Sequence, residues 1–95
     1  MRKYRLSQAA KKDLIRIAKY GDEQFGIRQS DNYRDLLDQR LLKLTENPDL
    51  YPLVEHIHPG YRRSVHHSHS IYYRVENQDI IIMRVLGRQD TKEAL

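Results

Sequence analysis

The fold of this chain is decided by residues 60–90, which read GYRRSVHHSHSIYYRVENQDIIIMRVLGRQD. Two runs rich in β-branched and aromatic residues, 70–75 and 80–86, flank the polar residues 76–79, a spacing typical of a β-hairpin. A third run, 61–67, precedes them. Because four consecutive apolar residues begin at Ile80, their strand is expected to be central and covered on both faces. The rest of the chain is expected to cover this sheet.

One helix is predicted before the sheet, directly after a short strand. Residues 3–6 alternate polar and apolar, which is typical of a half-buried strand. Ser7 can cap a helix, because its hydroxyl accepts from the free amides of the first turn. Apolar residues then recur at helical spacing as far as Gly26, which can adopt the left-handed conformation that ends a helix.

A second helix is predicted from about Arg28 to Glu46, with Pro48 as its stop. The link between the helices is so short that they must run antiparallel. A short edge strand is predicted at residues 50–54, between residues that interrupt regular structure. The predicted fold is therefore α+β, in the order β-α-α-β-β-β-β, and residues 1–95 form a single domain.

Composition narrows the class of protein. The chain has no cysteine, which excludes disulfides and thiolate metal sites and suits a cytoplasmic protein. No apolar run approaches the roughly 20 residues of a membrane span, so no membrane association is expected. Residues 1–20 carry seven Lys or Arg against one acid, which predicts an acidic partner or nucleic acid near this segment. A merely solvated helix face explains the charge equally well.

Five histidines crowd the middle of the chain, as His56-x-His58 and His66-His67-x-His69. Imidazole is the commonest zinc ligand, but no spacing here repeats a zinc motif. On a strand, His67 and His69 share a face and His66 points away. No metal or other cofactor is expected, and solvated strand histidines are the favoured interpretation.

Ribonuclease chemistry is a second possibility for this region. Cleavage of RNA through its own 2′-hydroxyl needs a base, an acid and cations around the phosphorus. If the chain is a nuclease, these groups are expected from Arg62, Arg84, His66, His67 and His69. The same residue types on an exposed sheet face are more often ordinary cross-strand pairs, so no catalytic residue is predicted from spacing.

The helical hairpin is the favoured interaction surface. Two helices and a small sheet cannot bury every apolar side chain, and exposed apolar patches mark partner sites. The alternative is that all of these side chains belong to the core. The candidates are Tyr20, Phe25, Leu42, Leu50, Tyr51 and Leu53.

Nearly the whole chain resembles the ParE toxins of the RelE/ParE superfamily of bacterial type II toxin–antitoxin systems. The matching pieces are individually weak but occur in the family's order. They are Leu6-Ser7-x-x-Ala10-x-x-Asp13-Leu14-x-x-Ile17-x-x-Tyr20, Phe25-Gly26, Asn47-Pro48, Gly60-Tyr61-Arg62, His69-x-Ile71-Tyr72-Tyr73-Arg74 and Arg84-Val85-Leu86-x-Arg88-Gln89-Asp90.

The resemblance implies a growth-arresting toxin that is neutralised by a ParD-like antitoxin. ParE-like members inhibit DNA gyrase and block replication, whereas RelE-like members are ribosome-dependent mRNA interferases. RelE-like nucleases tend to carry a histidine or tyrosine near the last strand, where this chain has Gly87-Arg88-Gln89-Asp90. The resemblance therefore favours the gyrase inhibitor, which meets nucleic acid only through gyrase or the antitoxin. The alternatives are the mRNA interferase and a non-toxic relic that still binds its antitoxin.

The resemblance also suggests two sets of contact residues. The surface facing gyrase is expected at the sheet edge and tail, with Arg62, Arg84, Arg88, Gln89 and Asp90. The antitoxin is expected to lie across the helical hairpin, its acids meeting the basic residues and its apolar residues meeting the others. This second set is Lys12, Arg16, Lys19, Tyr20, Leu41, Leu44, Tyr51 and Leu53.

Overall fold

The computed structural model describes residues 3–87. Four strands form one sheet in the order β1-β4-β3-β2, in which β1 is parallel to β4 and the other pairs are antiparallel. The predicted α+β class and the central position of the last strand are confirmed. The elements are β1 (Tyr4–Leu6), α1 (Gln8–Phe25), α2 (Ile27–Glu46), β2 (Arg62–His66), β3 (His69–Glu76) and β4 (Asp79–Gly87).

The two helices begin and end where the sequence predicts, to within a residue. The Ser7 hydroxyl accepts from the Ala10 amide at 3.0 Å and caps α1. Gly26 alone links the helices, with φ at +85°, a region that other residues adopt rarely. The helices pack so closely that a Cβ added to Gly21 would lie 2.7 Å from the Ser30 hydroxyl. A larger residue at position 21 would force the Ser30 side chain to shift.

Two tight turns set the register of the antiparallel strands. Glu76 pairs with Asp79, so only two residues form the turn between β3 and β4, and Asn77 adopts φ +57° there. His66 likewise pairs with His69, and His67 adopts φ +54°. The expectation that His67 and His69 share one face of a strand is wrong, because His67 lies in the turn itself. They surround the turn between β2 and β3.

The predicted edge strand at residues 50–54 is reduced to one isolated bridge, between Leu53 and Arg62. Pro52 has no amide hydrogen to donate, although its carbonyl accepts from the Arg63 amide at 3.1 Å. The Val54 amide donates to the Tyr61 carbonyl at 2.8 Å. The segment therefore follows the outer edge of β2 without continuing as a ladder.

The sheet is apolar on both faces because consecutive apolar residues, such as Tyr72 and Tyr73, belong to clusters on opposite sides, and β4 also contains a bulge. Tyr73 pairs with Ile82 and Tyr72 pairs with Arg84, which leaves Met83 without an opposite residue. The main core lies between the helices and the sheet and contains Ala10, Ile17, Leu37, Leu41, Leu44, Ile71, Tyr73, Ile80, Ile82 and Val85. A second cluster contains Val54, Tyr61, Tyr72 and Leu86, with Ile57 and Met83 packed against it.

Within residues 3–87, no helix is long and apolar enough to cross a membrane.

Candidate functional site

A carboxylate of α1 is fully buried against β4. Asp13 is 1% exposed, and its two oxygens accept from Nε and a terminal nitrogen of Arg84 at 2.8 and 2.9 Å. The Val85 amide also donates to this carboxylate, at 2.9 Å. A bidentate ion pair with an added backbone donor satisfies the buried charge. We call Asp13 with Arg84 and the Val85 amide the carboxylate clamp.

The clamp lies where β4 has lost its neighbouring strand. β1 ends at Leu6, opposite Ile82, so the next backbone groups of β4 need other partners. The Ser7 amide donates to the Ile82 carbonyl at 3.0 Å, and the Ser7 hydroxyl donates to the Met83 carbonyl at 2.8 Å. Ser7 and Asp13 thus replace a strand along this edge and fix the first half of α1.

A groove of about 840 Å³ lies at the connected end of the helical hairpin, along the second half of α1 and the first half of α2. It runs between the two helices, the turn that joins β2 to β3, and the end of β4. Its apolar lining includes two exposed aromatic rings, which contact each other edge to face at 6.3 Å. We call this the hairpin groove; the lining residues used below are Arg16, Tyr20, Phe25, Tyr33, Arg34, Leu36, His67 and His69.

Two arginines border the hairpin groove. Arg16 lies 3.3 Å from Oδ1 of the buried Asp13, and about half of its side chain remains exposed. Arg34 is paired with Asp31, one turn earlier on α2. The groove therefore combines apolar rings with cations at its border, which is suited to an amphipathic segment carrying acids.

The wall formed by the β2–β3 turn is built from aromatic and histidine side chains. The Tyr33 hydroxyl lies 2.6 Å from Nδ1 of His69 and 3.3 Å from the His66 carbonyl oxygen. The Tyr33 ring also lies within 6.0 Å, between ring centroids, of His66, His67 and His69. Burial lowers the pKa of His66, and the nearby cation Arg40 lowers it further.

Of the predicted nuclease residues, Arg62 and Arg84 are held at separate places, whereas His66, His67 and His69 lie together around Tyr33. Arg62 donates to the Tyr51 carbonyl at 2.7 Å and to the Asp49 carbonyl at 3.3 Å, which fixes the loop after α2. Arg84 is part of the carboxylate clamp. His66 is 7% exposed and belongs to the turn wall. In the described part of the chain, no group of three or more His, Cys, Asp or Glu residues could hold a metal ion.

The structure corrects part of the predicted antitoxin surface. Leu41 and Leu44 have no exposed area, because they continue the stripe of α2 that faces the sheet. A partner cannot contact them without opening the core. Tyr51 is half-buried and packs edge to face on Tyr73, and Leu53 bridges to β2, so both lie outside the hairpin groove.

The other predicted contact residues are accessible or lie beyond the described chain. Lys12, Arg16 and Lys19 are exposed on α1. Of these three, only Arg16 lines the hairpin groove, together with Tyr20. The predicted gyrase-facing residues Arg88, Gln89 and Asp90 lie outside the described residues, whereas Arg62 and Arg84 are engaged in the internal contacts described above.

Sequence reasoning missed two residues that organise this region. Asp13 was treated only as part of a motif, although it lies three residues after Ala10 and four before Ile17, both buried. An acid on the apolar face of a helix is a signal for a buried ion pair. Tyr33 lies more than 30 residues before the histidines in the chain, so its contact with them depends on how the β2–β3 turn packs against α2.

The comparisons with known proteins agree with each other. Residues 4–91 match the family model described as ParE toxin of type II toxin-antitoxin system, parDE. Toxin ParE1 of Caulobacter vibrioides is 36% identical over 86 residues, covering 90% of this chain and 88% of that protein. Toxin ParE1 of Mycobacterium tuberculosis is 32% identical over 88 residues, covering 92% and 90%.

The fold agrees as well. A solved structure described as the chromosomal ParDE TA system from P. aeruginosa matches with a TM-score of 0.79 at 18% identity. The match covers 92% of this chain and 96% of that one. With the family model spanning nearly all of the described sequence and the fold in agreement, the chain belongs to the ParE toxin family of type II toxin–antitoxin systems.

Proposed function

We propose that this protein is a toxin that inhibits DNA gyrase and that a ParD-like antitoxin neutralises it by binding in the hairpin groove. Family membership supports the toxin role. The single observation that supports the binding site is the pair of exposed rings, Tyr20 and Phe25, each about 60% exposed inside a groove bordered by arginines. Exposed aromatic side chains beside cations are typical of binding hot spots.

The groove defines the chemistry of the antitoxin segment. Its apolar side chains would cover Tyr20, Phe25 and Leu36, and its acids would approach Arg16. Lys12 and Lys19 continue the positive charge of α1 beyond the groove and would accelerate association through long-range attraction. Leu41 and Leu44 support the helix from the inside and make no contact with the antitoxin.

Gyrase is the proposed target because three of the residues that RNA cleavage would need, Arg62, Arg84 and His66, are committed to structural contacts. Arg84 is bound to Asp13, and Arg62 is bound to backbone carbonyls of the loop after α2. His66 is buried in the turn wall. A nuclease needs cations and an acid/base pair that converge on one phosphate, and these three side chains are occupied elsewhere.

The target is tested by adding the antitoxin-free protein to gyrase with supercoiled plasmid and, separately, to translating ribosomes. Linear plasmid trapped after detergent and protease is the expected result. Cut message with intact plasmid would assign the protein to the mRNA interferases. No effect in either assay, from folded protein that binds its antitoxin, would identify a non-toxic relic and contradict the proposal.

The binding site is tested with a matched pair of surface variants. Phe25→Ser removes an exposed ring of the groove, whereas Ile15→Ser removes a similarly exposed apolar side chain of α1 that does not line it. Burial of such a side chain contributes roughly 1.5–3 kcal/mol, so Phe25→Ser should weaken antitoxin binding at least about tenfold. Equal affinities of the two variants, measured by calorimetry, would exclude the groove.

A further inference from the structure

We propose that the β2–β3 turn is a proton-operated wall of the hairpin groove: protonation of His66 detaches the turn from α2 and weakens antitoxin binding in acid. This inference rests on the proposed function for its consequence, because it concerns regulation of the same groove. The opening of the turn itself can be tested on the toxin alone.

Among the described residues, the contacts between α2 and the two arms of this turn include hydrogen bonds and aromatic ring contacts. Tyr33 supplies its hydroxyl and its ring, as described above. Arg40, two turns further along α2, donates to the Ser64 hydroxyl at 2.9 Å and to the Val65 carbonyl at 3.0 Å. The main core involves neither arm of this turn, because its β3 members begin at Ile71. The turn can therefore move without opening the main core.

His66 is the residue of this wall whose protonation is disfavoured while the turn stays closed. It is 7% exposed, and among the described residues its Nε2 has no hydrogen-bond partner. A protonated imidazole needs two acceptors, whereas a neutral one tolerates a poorly solvated nitrogen better. The closed turn therefore favours neutral His66.

The charged and titratable groups around His66 all disfavour its protonation. From α2, Arg40 faces it with a fixed positive charge, and the ring of Tyr33 packs against it. From the turn and from β3, His67 and His69 add two further imidazoles, with the His67 ring 4.6 Å away. None of these groups supplies a carboxylate. Protonation at low pH thus adds a buried charge beside cations.

The sign of the pH dependence follows from these contacts. Burial, then Arg40 and the neighbouring histidines, lower the pKa of His66 in the closed turn. In the open turn the imidazole regains its ordinary pKa, about 6.5. Between these two values the open form binds more protons, so its population rises as the pH falls through this window and then levels off. At neutral pH the wall stays closed.

The test is hydrogen exchange of the free, full-length toxin at about pH 7.5 and about pH 5, the range in which histidine titrates. Protection factors corrected for intrinsic exchange are expected to fall several-fold for residues 64–69 in acid. Those of Ile80 and Ile82, in the central strand, should not change. Unchanged protection of the turn, or a parallel loss in β4, would overturn the proposal.

Two variants assign the effect to His66. His66→Gln and His66→Phe both lack the titrating group, and the second keeps an aromatic ring in case glutamine packs poorly. Either folded variant should lose the pH dependence. His58→Gln, on the exposed loop before β2, is the matched control and should behave as the wild type. Persistence of the acid response in both His66 variants would refute the mechanism.

The regulatory consequence is measured with the ParD-like antitoxin by titration calorimetry at the same two pH values. Wild-type affinity should fall several-fold in acid relative to that of His66→Phe. Equal pH dependence of the two proteins would refute the regulation even if the turn opens. No binding at either pH would refute the proposed partner, and with it the regulation, whereas the exchange data would still judge the opening of the turn.

Discussion

The helical hairpin is attached to the sheet in two contrasting ways. Near the start of α1, Asp13 is fully buried and accepts hydrogen bonds from Arg84, from the Val85 amide and from Arg16. On α2, Tyr33 meets the β2–β3 turn through one hydroxyl and a set of ring contacts with partly exposed histidines. The first attachment is a buried carboxylate bound by two arginines and an amide, whereas Tyr33 holds the turn through its hydroxyl and through ring contacts with titratable histidines.

This contrast separates the parts of the molecule that maintain the fold from those available for regulation. Removal of a buried, fully hydrogen-bonded carboxylate causes a large loss of stability, because its partners lose their acceptor. A half-exposed hydroxyl with one good partner contributes much less. The hairpin groove lies at the weak attachment, so its wall can respond to a partner or a proton while the carboxylate clamp keeps the fold intact.

Loss of the carboxylate clamp should have the largest effect. Asp13→Ala leaves the Arg84 guanidinium and the Val85 amide without their acceptor and should reduce the free energy of unfolding by about 3–5 kcal/mol. Chemical denaturation measures the change. Asp35→Ala, an exposed acid of α2, is the control and should change stability by less than about 0.5 kcal/mol. Similar losses in the two variants would show that the clamp contributes no more to stability than an exposed acid does.

A third contact, between β3 and the loop after α2, extends the comparison to alkaline pH. The Tyr73 hydroxyl donates to the Pro48 carbonyl at 2.6 Å, and burial raises the pKa of Tyr73 to about 12. An unfolded tyrosine loses its proton near pH 10, so stability should fall as the pH rises from about 10 to 12, by roughly 2–3 kcal/mol. Tyr73→Phe should remove this decline. Denaturation series of both proteins against pH measure it, and an unchanged slope would contradict the assignment.

Ser7 should have an intermediate effect, because it combines a helix cap with a contact to β4. Ser7→Ala removes the acceptor for the Ala10 amide and the donor to the Met83 carbonyl, and should cost about 1–2 kcal/mol. Ser68→Ala, at the exposed turn, should be close to neutral. A neutral Ser7→Ala would mean that water replaces both contacts.

The weak attachment should give the smallest change. Tyr33→Phe keeps the ring and removes the hydroxyl, and should cost about 0.5–1.5 kcal/mol in global stability. Tyr20→Phe, in the same groove, is the control and should cost less than about 0.5 kcal/mol. A Tyr33→Phe loss as large as that of Asp13→Ala would remove the distinction between the two attachments.

Much of the fold was predictable because local signals agreed with one another. The cap at Ser7, the helix end at Gly26 and the strand of the apolar run in β4 were each predicted from local signals, and all three are confirmed. The strand expected at 50–54 failed because a short apolar run does not specify a ladder when proline removes a donor. The antitoxin surface was partly misassigned because periodicity identifies an apolar stripe but not what covers it.

The sequence by itself determined the order of helices and strands apart from the strand expected at 50–54, the α+β class and the resemblance to ParE toxins, because capping, periodicity and motif order are local properties of the chain. Only the tertiary structure decided that Asp13 joins Arg84, that Leu41 and Leu44 are core, and that three histidines surround one tyrosine. The physical reason is that these contacts join residues far apart in the chain. Their partners depend on strand register, and a two-residue turn or a bulge sets that register without a clear local signal.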